Sequence, residues 1–303
     1  MLNNKINNKI NNKINNNSNS NLNSKLSSNF NNQLNNYTSS NNALLKLFCT
    51  LIVIVVICIL IGNYAFKNGD LTCDYYVLNT YLYIILANLI AFMVVFINDK
   101  YGIFNFFIVW MTQGNMFRVI MIFIILLILI LGLSYALIKV NPKNIVVSNT
   151  IWTLLIVLLG ILLIPTIWLG RLENVVGIAG ISTILIIIVV GLLGYYYGDK
   201  IVRFDWDKYL NYALMALIII TTIGMVFIKD PKLMFNFILI ISILILIIFI
   251  LLLLSNHKNL KENSEKCIDG KTVPNYPVES FNIFIKMVNV FQTLIRIFVM
   301  LKK

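Results

Sequence analysis

The run LMFNFILIISILILIIFILLLL, residues 233–254, decides the fold. It carries no charge, and its only polar side chains are Asn236 and Ser242. An α-helix needs about 20 apolar residues to cross a hydrocarbon core of roughly 30 Å. Within lipid the backbone must satisfy its own hydrogen bonds, which a helix does along its length. The run also lacks the alternation of apolar and polar residues that marks a strand of a membrane barrel. It reads as a helix that crosses a bilayer.

Working outward, similar apolar segments occupy 44–66, 76–97, 117–138, 146–169, 175–198, 209–228 and 281–300. A weaker block, 103–111, ends in Thr112-Gln113-Gly114-Asn115 and reads as an interfacial helix. Short connections such as Arg171–Asn174 and Lys229–Lys232 force antiparallel neighbours. Pro165, near the end of its segment, is expected to kink a helix that its neighbours then accommodate. The whole composition agrees: 59% of the 303 residues are hydrophobic and 12% are charged, against about 25% charged in a soluble domain. The expected fold class is all-α, a polytopic transmembrane helical bundle. The lipid bilayer is its first partner, with other membrane proteins as further candidates.

Residues 1–42 are mostly Asn, Ser and Lys with isolated Leu or Ile. Such a tract buries too little apolar area to offset its ordering entropy and is expected to be disordered. No apolar core of a secretory leader occurs in the first 30 residues. The net charge of +12 is scattered through tail and loops, without the basic run of a nucleic-acid surface, so no nucleic-acid partner is expected. Once the distant Lys5, Lys9 and Lys13 are set aside, Lys and Arg divide evenly between the two membrane faces. The positive-inside rule then gives no orientation.

The four cysteines form no CxxC pair, and His257 is the single histidine, so neither a metal nor a cofactor is expected. Cys49 and Cys58 lie in the first apolar segment. Cys73 and Cys267 fall in loops on one membrane face, where a disulfide requires an oxidising compartment. No hydrolase, kinase or nucleotide-binding motif appears, and no catalytic residue is assigned. The protein is expected not to be an enzyme.

The segment 281–300 differs from the rest. Asn282, Lys286, Asn289, Thr293 and Arg296 are spaced 4, 3, 4 and 3, which places them in one stripe of a helix. Ionisable residues within a span are functional candidates because they are costly to bury. The stripe therefore marks a polar path inside the bundle. The alternative is a segment that re-enters the membrane or lies along its surface, with the stripe facing headgroups.

The stretch 273–298, VPNYPVESFNIFIKMVNVFQTLIRIF, resembles the C-terminal end of the Bax inhibitor (TMBIM, lifeguard) family, with Tyr276, Val278, Asn289, Phe291 and Arg296 in register. Upstream, Asn141-Pro142-Lys143, Ala179 with Ser182-Thr183, and Asp205-Trp206-Asp207-Lys208-Tyr209 resemble weaker features of the same family. The resemblance covers 76–303 and implies a seven-helix membrane domain, preceded by an extra helix and loop at 43–75. It also implies an intracellular membrane, of the endoplasmic reticulum or Golgi kind, with the first family helix starting on the cytosolic side.

In that family a carboxylate from the sixth helix pairs with one from the seventh to form a pH-sensitive calcium switch. Here the first position falls on Asn256 (or Ser255) and the second on Lys286. An amide and an ammonium neither share a proton nor attract Ca²⁺. The resemblance thus implies a modulator of calcium homeostasis or cell death that has lost the acidic switch. The competing expectation is a structural or scaffolding membrane protein without transport activity. A transporter ranks below both, because no inverted repeat is visible. The sequons at Asn16 and Asn36 are candidate glycosylation sites that would report the side on which the tail lies.

Overall fold

The computed structural model describes residues 40–67, 70–102, 116–202 and 206–302. The expectations for the 1–39 tail, for Asn16 and Asn36, and for 103–111 lie outside the described residues. The chain divides into two units, 1–49 and 50–303. The described part of the first is the opening of helix α1. Everything below concerns the second.

Among the described residues there are eight helices: α1 (Ser40–Ala65), α2 (Tyr76–Tyr101), α3 (Met116–Lys139), α4 (Ile145–Leu172), α5 (Val176–Ile201), α6 (Trp206–Phe227), α7 (Pro231–Ile268) and α8 (Tyr276–Leu301). A two-residue hairpin, β1 (Phe66–Lys67) with β2 (Asp70–Leu71), joins α1 to α2. Helices α1, α2, α4, α5, α7 and α8 are long and apolar enough to cross a membrane, and Ile124–Lys139 within α3 is a shorter apolar stretch. The helix ends follow local chemistry. Asp230 accepts from the Lys232 N–H at 2.8 Å ahead of Pro231, an N-cap followed by a residue that has no N–H to satisfy. Gly102 ends α2 in the left-handed region, φ 63°, with its N–H returning to the Asn98 carbonyl.

Two segments run further than their apolar patterns. Helix α7 continues from Leu254 to Ile268, and α8 begins at Tyr276 instead of 281. The extension of α7 is polar but built from good helix formers, with Lys258–Glu262 and Glu262–Lys266 pairs one turn apart. Apolar length measures only the part in hydrocarbon; the helix itself projects beyond it. Helix α4 passes through Pro165 without a break in its assigned span.

Helix α8 is the hub. It packs on α7, α4, α2 and α5 and touches α3, whereas among the described residues α6 packs chiefly on α7. Close approach of α5 to α7 depends on small residues. A Cβ added at Gly194 would stand 2.7 Å from both the Leu254 carbonyl oxygen and the His257 Cβ. Backbone cannot move aside as a side-chain tip can. Small residues serve this purpose between membrane helices, where packing replaces the hydrophobic drive.

The face carrying the hairpin is tied together by polar and aromatic groups. The Trp152 indole N–H donates to Ser280 Oγ at 3.0 Å, and Tyr83 Oη donates to Asn149 Oδ1 at 3.1 Å. The Tyr276 hydroxyl donates to the Thr72 carbonyl, while Asn79 Nδ2 donates to the Tyr64 carbonyl at 2.9 Å. Tyr83 and Tyr276 stack at 6.0 Å between centroids, with Trp152 edge-on to Tyr83. Cys73 and Cys267 form a disulfide across 194 residues, with Cα atoms 5.6 Å apart.

Two outcomes follow from this packing. Gly194→Ala should destabilise the purified protein by about 1–3 kcal/mol, the range for overpacking, read as a lower melting temperature in detergent. Cys73→Ser should remove the band shift between reduced and non-reduced gels and cost about 2–5 kcal/mol. An unchanged gel pattern would show that the two sulfurs are not bonded.

Candidate functional site

The site is built where three helix ends meet on the hairpin face: the start of α6, the end of α7 and the start of α8. Asn275 caps α8, its side chain accepting from the Val278 N–H at 3.4 Å, and Pro277 follows in the first turn. That start sets Glu279 one turn in, where a negative charge is favoured by the helix dipole. The Glu279 carboxylate accepts from Asn263 Nδ2 at 2.7 Å. One turn deeper, Asn256 Nδ2 donates to the Asn282 carbonyl at 3.0 Å. From α6, Asp207 Oδ2 accepts from Asn259 Nδ2 at 3.1 Å, while Oδ1 is buried without a partner among the described residues.

Three amides of α7, Asn256, Asn259 and Asn263, therefore hold one group each from α8, α6 and α8 again. They lie 3 and 4 residues apart and share one helix face. Lys286 is half-buried on the same side of α8 as Asn282, in the field of Asp207 and Glu279. Among the described residues no carboxylate comes within 4.0 Å of its ammonium; Asp205, two residues before Asp207, lies outside them.

The remaining members of the stripe behave differently. Asn289 Nδ2 donates to the Ile285 carbonyl at 2.8 Å, and Thr293 Oγ1 to the Asn289 carbonyl at 2.7 Å. Both turn their polar atoms onto their own helix, which lets them sit inside the bundle. Arg296 is exposed. The structure thus brings Asn256 to the main chain of Asn282 and sets Lys286 in the field of Asp207 and Glu279, and it leaves Asn289, Thr293 and Arg296 as separate positions along the helix. Among the described residues no group of three or more His, Cys, Asp or Glu is placed to hold a metal ion. What the cluster offers chemically is a set of fixed amide donors and one ammonium near two separated carboxylates.

Sequence reasoning did not find Asp207, Asn259, Asn263 or Glu279 as partners. Only the length of α7 beyond the hydrocarbon brings them into reach. It also missed the opposite face, where Arg171 at the end of α4 pairs with Asp99 at the end of α2 at 2.6 Å. One acid and one base at the same-side ends of two apolar segments was the available signal. Gly191, Gly194 and Gly198, spaced 3 and 4, gave a signal for the α5–α7 contact.

A direct search of curated proteins returns no match to this sequence. A family model does match. Its description is "Inhibitor of apoptosis-promoting Bax1", and it covers residues 73–303, from the disulfide cysteine before α2 to the end of the chain. A match over more than half of the sequence identifies the chain as a member of the Bax inhibitor family.

Proposed function

We propose that this protein is a Bax-inhibitor-like integral membrane protein that modulates calcium homeostasis or cell death without a titrating carboxylate pair. The observation that carries the reading is the contact between α7 and α8. There Asn256 donates its amide to the Asn282 carbonyl, and Lys286 stands one turn on, where the family resemblance implies a second carboxylate. An amide locks two helices at any pH, whereas a shared proton between carboxylates is lost and regained near neutrality. A fixed α7–α8 contact favours action through bundle packing and partners, with no catalytic step.

The disulfide bears on orientation. Cytosolic thiols are held reduced, so a bond between Cys73 and Cys267 requires the hairpin face to lie in a lumen or outside the cell. The family resemblance implies that the helix equivalent to α2 starts on the cytosolic side. Helix α1, an additional crossing ahead of α2, supplies the reversal. We read the seven-helix domain as inserted in the opposite sense, in a membrane with one oxidising face.

Two experiments test these readings. In calcium-loaded liposomes the wild type should show little flux change on mild acidification, whereas Asn256→Asp with Lys286→Asp should gain an acid-sensitive flux. A wild-type flux that is steeply acid-dependent and abolished by Lys286→Ala would sink the proposal. For orientation, an Asn-x-Thr acceptor engineered into the α7–α8 loop, 269–275, should be glycosylated in cells, and one placed between α6 and α7 should not. The reverse pattern would overturn the inverted insertion.

A further inference from the structure

Helix α2 has one side that the bundle leaves bare. Leu78, Ile85 and Phe92 recur every seven residues along it and are 44%, 45% and 54% exposed. Asn88 stands between Ile85 and Phe92, three residues after the one and four before the other, and is exposed as well. The four side chains share one stripe of the helix. The buried positions of α2 serve its packing on α4 and α8. Helix α5 does not cover the stripe. The gap between α2 and α5 holds two adjoining cavities, about 530 Å³ and 280 Å³, and Asn88 lines both.

Asn88 is also at the middle of the span. It lies 12 residues from Tyr76 and 13 from Tyr101, the two ends of α2. At 1.5 Å per residue each end is about 18–20 Å away, further than half of a hydrocarbon core of roughly 30 Å. Its Nδ2 donates to the Ile84 carbonyl at 2.8 Å. A carboxamide has two N–H donors and an acceptor oxygen, so one donor and Oδ1 are left over among the described residues. Thr183, the hydroxyl of α5 that lines the smaller cavity, is already committed to the Ala179 carbonyl at 2.7 Å. Headgroups and water are absent from this depth, and acyl chains carry neither donor nor acceptor. A half-satisfied amide is costly there. What can complete it is another helix.

We propose that two copies of this chain associate through this stripe of α2, with the two Asn88 carboxamides hydrogen-bonded to each other across a two-fold axis along the membrane normal. The bilayer supplies the alignment. Copies inserted in the same sense carry Asn88 at the same depth, so rotation about the normal brings the two amides level. Each has one donor and one acceptor to spare, and two such amides satisfy each other reciprocally. A different partner helix would need its own polar group at that depth, which an identical copy has already. Closed two-fold pairs are the commonest symmetric assembly, and a single Asn within an apolar seam sets the register between paired helices. Leu78, Ile85 and Phe92 supply the packing above and below it.

The test uses the full chain in phosphatidylcholine vesicles, labelled at its amino terminus with a fluorescent donor or acceptor. Energy transfer should saturate as the protein-to-lipid ratio rises and should be competed by unlabelled protein. Asn88→Leu should need about tenfold more protein per lipid for half-maximal transfer, the scale of hydrogen bonds between membrane helices. Asn88→Gln keeps the carboxamide and should retain most of the association. Because Asn88 faces outward, Asn88→Leu should leave the melting temperature in detergent unchanged, which separates lost association from lost folding. Covalent capture provides an independent measurement. With the exposed free thiols removed by Cys49→Ala and Cys58→Ala, Ile85→Cys should form a dimer under copper phenanthroline. Val189→Cys, on the outward side of α5 and 54% exposed, should not. Transfer that rises without saturating, association unchanged in Asn88→Leu, or a stronger covalent dimer through Val189→Cys than through Ile85→Cys would each overturn the proposal.

Discussion

A polar helix placed at the centre of a membrane bundle must have every buried polar group satisfied from within the protein. Helix α8 is that helix, and the rest of the arrangement depends on meeting its demands. Water is absent from the hydrocarbon, so each unpaired donor or acceptor there costs several kcal/mol, on the order of 4–8 on the strictest transfer scale. The solution varies along the helix. Near its start, Glu279 and the Asn282 carbonyl are met by amides of α7. In the middle, Asn289 and Thr293 bond back onto their own helix. Toward the end, Arg296 leaves the bundle. Ser280 is matched to Trp152, which fixes α8 against α4 through a side chain large enough to fill the space between them.

These demands explain why α7 is so long. An apolar helix that stopped at Leu254 would have left Asn259 and Asn263 unplaced, and with them the partners of Asp207 and Glu279. Extending α7 past the hydrocarbon on a polar surface supplies three amides at helical spacing without placing a further charge in lipid. It also carries Cys267 to the level of Cys73. The disulfide then constrains the same end of the bundle that the amides organise. One end is held by covalent and amide contacts, whereas the other is held by the Asp99–Arg171 pair and by Lys302 Nζ donating to the Glu173 carbonyl.

The helical class and the rough positions of the six helices long and apolar enough to cross were legible in the sequence because hydrocarbon imposes one dominant rule, about 20 apolar residues for each span. The stripe on 281–300 was legible for the same reason: Lys286 and Arg296 stand out where charge is expensive. What each stripe residue touches was not. Asn289 and Thr293 share a face by spacing, yet both turn their polar atoms onto their own backbone, and at Asn282 it is the main-chain carbonyl that meets another helix. Periodicity gives the direction of a side chain and carries no information on what lies opposite. The extension of α7 was hidden because residues 255–268 are polar, and polarity outside the bilayer is compatible with either loop or helix. The spacing of Gly191, Gly194 and Gly198 stands in the sequence, but its consequence needed the partner helix: only with α7 in place do these glycines meet Leu254, His257 and Lys258.

That last case shows what a face of glycines does for one pair of helices. At Gly194 the missing side chain is filled by the Leu254 carbonyl and the His257 Cβ. A Cβ at Gly191 would stand 3.2 Å from both His257 Nε2 and Tyr81 Oη, and one at Gly198 would stand 2.7 Å from the Lys258 Cβ. All three glycines therefore let α5 lie against α7 more closely than any side chain would allow. Without water or a hydrophobic drive between helices in lipid, that closeness is what dispersion contacts require. Three positions with no side chain on α5 thus fix where the long helix α7 can run, and through it where its amides meet α8.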